Sequence, residues 1–405
     1  MKYPFKDICT KIGSGATPTG GKEAYKGGDY ALVRSQNVLD YTFTTSGLAY
    51  INETQAKKLD GVKVEVGDVL LNITGDSVAR ACIIPDEILP ARVNQHVAII
   101  RANNQYALNE YLLYFLQYNK QYLLSISQGG GTRSAITKKM IEDIEIDLPS
   151  LEDQLAIVNI INGISKKIEV NQQINDNLEQ QLQSLYREWF IENPKADWTT
   201  VNLSEIASFT SGYSYKGNEL VESSDTAMAT IKNFERNGGF KIDGYKPIVP
   251  SAKLKIDQRA QLFDILVAHT DLTQNAEVIG NAEILLSKDI YKDLIFSMDL
   301  VKVNAKDSFP FQFLLALLLK NPRFKSHCIG YVNGTTVLHM NKRALPDYET
   351  IIPNSEDAQS LNATAKAIFC QMSENLTEIL NLTKLRDTLL PKLMSGELKI
   401  NEIDC

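Results

Sequence analysis

The sequence predicts an α+β chain: two globular mixed α/β parts separated by two long antiparallel coiled-coil helices, arranged as a pseudo-twofold repeat. Three observations predict it. The order of motifs repeats after about 200 residues, each copy opens with short β-branched runs punctuated by Gly-rich turns, and each closes with seam residues spaced alternately four and three.

The repeat comes first, because a period of this kind governs every later assignment. Phe5-Lys6-Asp7-Ile8 answers to Leu203-Ser204-Glu205-Ile206, and each is followed by a Ser-Gly turn, Ser14-Gly15 and Ser211-Gly212. Gly67-Asp68-Val69-Leu70-Leu71 answers to Phe263-Asp264-Ile265-Leu266-Val267, an apolar run that reads as a buried strand in each half. Gly131-Thr132 matches Gly334-Thr335, and Leu148-Pro149 matches Ile352-Pro353. One apolar helix is expected in each globular part, Tyr111 to Leu124 and Phe311 to Leu319.

A helix start follows each closing Pro: Ser150 with Asp153, and Ser355 with Glu356 and Asp357, place acceptors and negative charge at the first turn. The first seam runs Ile157, Ile161, Ile164, Ile168, Asn171, Asn175, Leu178, Leu182, Leu185 and Trp189. The second, 204 residues on at every position, runs Leu361, Ala365, Ile368, Met372, Asn375, Ile379, Leu382, Arg386, Leu389 and Leu393. Asn171 and Asn375 share one seam position, where a buried amide penalises wrong registers. A helix from 151 to about 192 spans roughly 60 Å. The expected divisions are 1–149, 150–195, 196–353 and 354–405.

Composition excludes several function classes. The five cysteines are scattered without a CxxC pair and the four histidines form no ligand-spaced cluster, so reduced thiols and no metal site are expected. No run of 18 apolar residues exists, and Met1 to Ile12 carries Lys2, Asp7 and Lys11, so a cytoplasmic chain with no membrane partner is expected. The net charge of −7 argues against phosphate binding as an average. It is unevenly spread: residues 140–198 carry 4 basic against 12 acidic side chains, while residues 1–139 carry 16 against 12.

Leu148-Pro149-Ser150-Leu151-Glu152-Asp153-Gln154-Leu155-Ala156-Ile157-Val158, Leu185-Tyr186-Arg187-Glu188-Trp189-Phe190 and the run Leu385 to Leu398 resemble the conserved motifs of the specificity subunits of type I restriction-modification systems. Gly129-Gly130-Gly131-Thr132-Arg133 is similar to the Gly-Thr turn of their target recognition domains. The resemblance covers nearly the whole chain. The second junction, Ile352-Pro353-Asn354-Ser355-Glu356-Asp357-Ala358-Gln359, departs from the fuller pattern. The resemblance implies two target recognition domains, each reading one part of a bipartite asymmetric site in double-stranded DNA. It further implies two methyltransferase subunits docked on the chain, with restriction and translocase subunits joining through them.

Two windows without acid recur at equivalent places and suit phosphate. They are Lys120 to Lys139, with Lys120, Arg133, Lys138 and Lys139, and Lys320 to Arg343, with Lys320, Arg323, Lys325, Lys342 and Arg343. Base reading calls for Arg toward guanine and Asn or Gln toward adenine. Candidates in the first half are Arg34, Ser35, Gln36, Asn37, Thr74, Arg80, Asn94, Gln95 and His96. In the second they are Lys232, Asn233, Arg236, His269, Thr270, Gln274 and Asn275.

An adenine methyltransferase requires Asn or Asp followed by Pro-Pro and an aromatic residue, and Asn193-Pro194-Lys195 does not supply it. The Gly-rich stretch Gly13 to Lys22 fails the phosphate-loop pattern. No catalytic residue and no cofactor are therefore assigned. The rival reading is an interaction scaffold, whose coiled coil holds two protein-binding modules apart without DNA.

Overall fold

The computed structural model describes residues 2–18, 25, 27–128, 134–236, 238–273, 275–334 and 337–399. The chain divides into two compact units, residues 1–166 with 383–405 and residues 167–382. Both long helices, Leu151–Arg187 and Ser355–Ser395, contribute to each unit. Among the described residues no helix is long and apolar enough to cross a membrane.

The first unit contains β1 (Lys2–Pro4), β2 (Cys9–Ser14), β3 (Tyr30–Val33), β4 (Ala49–Ile51), β5 (Val69–Asn72), β6 (Ala81–Ile83), β7 (Ala91–Val93), β8 (Val97–Ala102) and β9 (Glu145–Asp147). A four-stranded antiparallel sheet has the order β2-β8-β5-β6, and a smaller sheet, β4-β3-β7, pairs β3 with β7 in parallel. All four residues of β5 are buried, because both faces of this sheet are covered. Val69 and Leu71 join the core formed with the helix Asn109–Tyr118 and with Ile157, Ile161, Leu390 and Leu393 of the long helices. Leu70, one pleat on, joins the core shared with the smaller sheet.

The second unit contains β10 (Thr199–Asn202), β11 (Ala207–Ser211), β12 (Thr226–Ala229), β13 (Lys246–Pro247), β14 (Arg259–Ala260), β15 (Ile265–Ala268), β16 (Thr270–Asp271), β17 (Ala282–Ile284), β18 (Asp293–Phe296), β19 (Leu300–Ala305), β20 (Val332–Asn333), β21 (Leu338–Met340) and β22 (Glu349–Ile352). Its sheet order β11-β19-β15-β17 is that of the first unit, and β12 pairs with β18 in parallel as β3 does with β7. Ile265 and Val267 face the core beneath the helix Gln312–Leu319, while Leu266 and Ala268 face the other.

The repeat extends to single turns. Asp68 accepts from the Glu65 amide at 2.8 Å and Asp264 from the Gln261 amide at 2.8 Å. Each carboxylate meets a cation on the neighbouring strand: Arg101 at 2.7 Å, Lys302 at 3.4 Å. The residue before each aspartate has positive φ, 77° at Gly67 and 71° at Phe263.

The predicted seams are buried or half-buried at every position of both helices. Within the second unit the helices run antiparallel, because Asn171 reaches Glu378 at 2.8 Å whereas Asn175 reaches back to the Met372 carbonyl at 3.2 Å. Ser150 caps the first helix by accepting from the Asp153 amide at 3.1 Å. The second helix is capped one residue earlier than expected: Asn354, not Ser355, accepts from the Asp357 amide at 2.9 Å. An Asn oxygen serves an N-cap as well as a hydroxyl does.

Candidate nucleic-acid interface

In each unit several of the predicted base-reading residues lie on one structural frame: Arg34 to Asn37, Thr74 and Asn94 to His96 in the first, and Lys232, Asn233, His269 and Thr270 in the second. β3 ends in a turn, Arg34 to Asn37, and β12 ends in its equivalent, Thr230 to Asn233. Asn37 is buried and spends its amide on this turn, accepting from the Arg34 amide at 3.1 Å and donating to the Thr44 carbonyl at 2.9 Å. Asn233 does the same with the Thr230 amide at 2.8 Å and the Lys241 carbonyl at 2.7 Å. These two asparagines hold the loops, leaving Gln36 and Lys232 exposed on them.

The second part of the frame joins consecutive strands. The backbone N–H of Asn94 donates to the Val33 carbonyl at 3.0 Å, and that of Ser297 to the Ala229 carbonyl at 2.9 Å. Ile73 bonds the His96 carbonyl at 3.0 Å, and His269 the Asp299 carbonyl at 2.8 Å. The hydroxyl of Thr74 lies 2.6 Å from His96 Nδ1, and that of Thr270 donates to Asp299 at 3.0 Å. A Ser-Gly turn closes the frame. A Cβ on Gly15 would stand 1.7 Å from the Val93 carbonyl oxygen, and one on Gly212 would stand 2.0 Å from that of Ser297, so only glycine fits.

The acid-free windows reach this frame through their described flanks. Thr74 bridges Ala135, and Thr270 pairs with His339 in β21. Lys138 and Lys139 follow the first flank, Lys342 and Arg343 the second, and all four are exposed. Lys138 and Lys139 pair with Glu142 at 3.5 Å and Asp143 at 2.6 Å one helical turn on. Exposed pairs of this kind are weak and exchange readily. Arg133 and Gln274, with the turn Gly129 to Arg133 and Thr335, lie outside the described residues.

Two lysines of these windows are engaged elsewhere. Lys120 binds Asp40 at 2.5 Å, and Lys320 binds Glu283 at 2.5 Å and Glu179 at 3.2 Å. The windows hold no acid in sequence, but the fold brings acid to them. Burial opposes the charge on Lys320, yet the two carboxylates hold its pKa above the ordinary lysine value. Arg236 and Lys325 lie apart, Arg236 paired with the Glu277 carboxylate at 3.0 Å and Lys325 donating to the Glu277 backbone carbonyl at 2.7 Å. Arg80 is half-buried at the tip between β5 and β6, and Asn275 is exposed.

His269 is held below the ordinary histidine pKa, first by burial and then by His339 and Lys342, against the pull of Asp299. Burial pushes the thiols of Cys9, Cys82 and Cys328 up to about 12, which leaves them protonated and inert. No group of three metal-ligating side chains occurs among the described residues. The frame also contains residues that residue-type reasoning passed over: Met298, Asp299 and His339. Continuing the repeat alignment would have found them, since Gln95 and Met298 are 203 residues apart on equivalent turns.

Residues 1–180 match the family model for the type I restriction modification DNA specificity domain. The chain is 24% identical to the type I restriction enzyme HindI specificity subunit of Haemophilus influenzae, over 91% of this chain and 94% of that one. It is also 24% identical to the MjaIX specificity subunit of Methanocaldococcus jannaschii, over 98% and 93%. The crystal structure of the type I restriction-modification system S subunit from M. genitalium shares the fold, with a TM-score of 0.54 and 14% identity over 97% of this chain and 95% of that one. Residues 1–180 thus carry a type I restriction modification DNA specificity domain, and over nearly its whole length the chain is similar to type I restriction enzyme specificity subunits.

Proposed function

We propose that the chain reads a bipartite, asymmetric site in double-stranded DNA, one part through residues 1–149 and the other through 196–353. The observation that carries this reading is one frame occurring twice with different outward side chains. Equal frames at two places call for two readings of the same kind. Unequal side chains call for two different sequences. The exposed pairs Lys138-Lys139 and Lys342-Arg343 beside each frame suit backbone phosphate, which positions a protein without specifying sequence.

The spacer segments 150–195 and 354–405, through their helices Leu151–Arg187 and Ser355–Ser395, fix the spacing between the two reading parts and dock two methyltransferase subunits. Restriction and translocase subunits join through those. The chain supplies recognition and its partners supply chemistry, in the cytoplasm.

The test is to co-express the chain with the methyltransferase encoded beside it, purify the complex, and map methylated adenines across genomic DNA by single-molecule sequencing. A split motif with an unread spacer is expected, and inserting residues into both helices changes the spacer. A stable complex that methylates without any motif would sink the reading in favour of a protein-binding scaffold.

A further inference from the structure

The two frames present one outward side chain each at the same backbone position, and the two differ in kind. The turn between β7 and β8 buries Asn94 and exposes Gln95; the turn between β18 and β19 buries Ser297 and exposes Met298. Gln95 is polar and in a polar setting, 3.0 Å from His96 Nε2 and bonded to the Thr17 hydroxyl. Met298 is 55% exposed.

A lone exposed methionine is ordinarily unremarkable. This one is held by backbone hydrogen bonds on every side: Ser297 to Ala229 at 2.9 Å, Met298 to Tyr213 at 3.0 Å, His269 to Asp299 at 2.8 Å, and Leu300 to Ser297 at 2.9 Å. Sites that bind are built on fixed backbones. The thymine 5-methyl group is the apolar feature of the major-groove edge, and apolar side chains read it by contact.

We propose that Met298 reads a thymine 5-methyl group in the part of the site taken by the second unit, while Gln95 reads a base edge by hydrogen bonding in the first. The inference rests on the DNA-reading function proposed above and adds the chemistry of each contact. Residues 297–299 thus act as a specificity element with a chemistry opposite to that of residues 94–96.

The test uses the full chain in complex with its methyltransferase and a pool of randomised duplexes. After the bound motif is selected, each thymine in it is replaced singly by deoxyuridine, which lacks only the methyl group. We expect one replacement, in one half-site, to weaken binding about threefold to fourfold, the worth of one buried methyl. Met298→Gln should abolish that discrimination and select a different base at the same position, leaving the other half-site unchanged. Gln95→Met should alter only the other half-site. A two-part motif in which every deoxyuridine is neutral, or which Met298→Gln selects unaltered, overturns the inference alone. A pool that yields no motif overturns the DNA-reading function and the inference with it. Met298→Ala, which truncates an exposed side chain, controls for folding through its melting temperature.

Discussion

Asn375 donates its amide to the side-chain oxygen of Asn175 at 2.8 Å, across the two helices of the second unit. The same Asn375 accepts from Gln371 at 3.0 Å, and Asn175 passes its own amide to the Met372 carbonyl. Asn375→Leu therefore removes the donor to the half-buried Asn175 oxygen, while the exposed Gln371 amide turns to water. We expect a loss of about 1–3 kcal/mol in urea unfolding. The double variant Asn175→Leu/Asn375→Leu should lose less than the sum of the singles, because both partners leave together. Strict additivity would show that the two side chains are energetically uncoupled.

How much of this was legible in the sequence depends on the range of the interaction. The seam positions follow from periodicity and the paired strands from the matched apolar runs ending at Leu71 and Val267, both local signals, and the fold keeps them, with strands at Val69–Asn72 and Ile265–Ala268. Asn37 and Asn233 read as base contacts by residue type, yet their bonds to Thr44 and Lys241 consume them. No composition rule separates an amide that caps a turn from one that faces solvent. Lys320 misleads for a different reason: Glu179 and Glu283 lie far from it in sequence and beside it in space.

Glycine positions divide by what a side chain would meet. Gly15→Ala and Gly212→Ala drive a methyl into backbone carbonyls at 1.7 Å and 2.0 Å, so each should destabilise its unit by more than about 2 kcal/mol. Gly163 lies exposed within the helix Leu151–Arg187 and a Cβ there meets nothing within 4 Å. Gly163→Ala should stabilise the chain by about 0.5–1 kcal/mol. Thermal melts of the three variants decide it, and a destabilising Gly163→Ala would contradict the open surface.

His269 supplies a pH dependence with a definite sign. Its folded pKa lies below the unfolded value of about 6.5, so the unfolded chain binds more protons as pH falls through that region. The stabilisation is full above the unfolded pKa and drains away as pH drops below it. Urea midpoints measured from pH 7.5 to 5.5 should fall over the lower half of that range. His269→Gln should flatten the profile; an equal slope in the variant would assign the effect to other groups.

Lys320 separates a structural cation from a DNA-binding one. Replacing it with Met leaves Glu283 and Glu179 facing each other without a charge between them, and breaking a buried pair by removing one partner costs about 3–5 kcal/mol. Because Lys320 is turned to carboxylate and not to solvent, folded Lys320→Met should keep the parent's DNA affinity and salt dependence. Lys342 and Arg343 are exposed beside the second frame. Replacing both with Met should weaken binding across all sequences and lower the slope of log affinity against log salt by about two, one for each phosphate contact removed. If Lys320→Met changed that slope and the double variant did not, the phosphate path would run over the Lys320 face of the second unit.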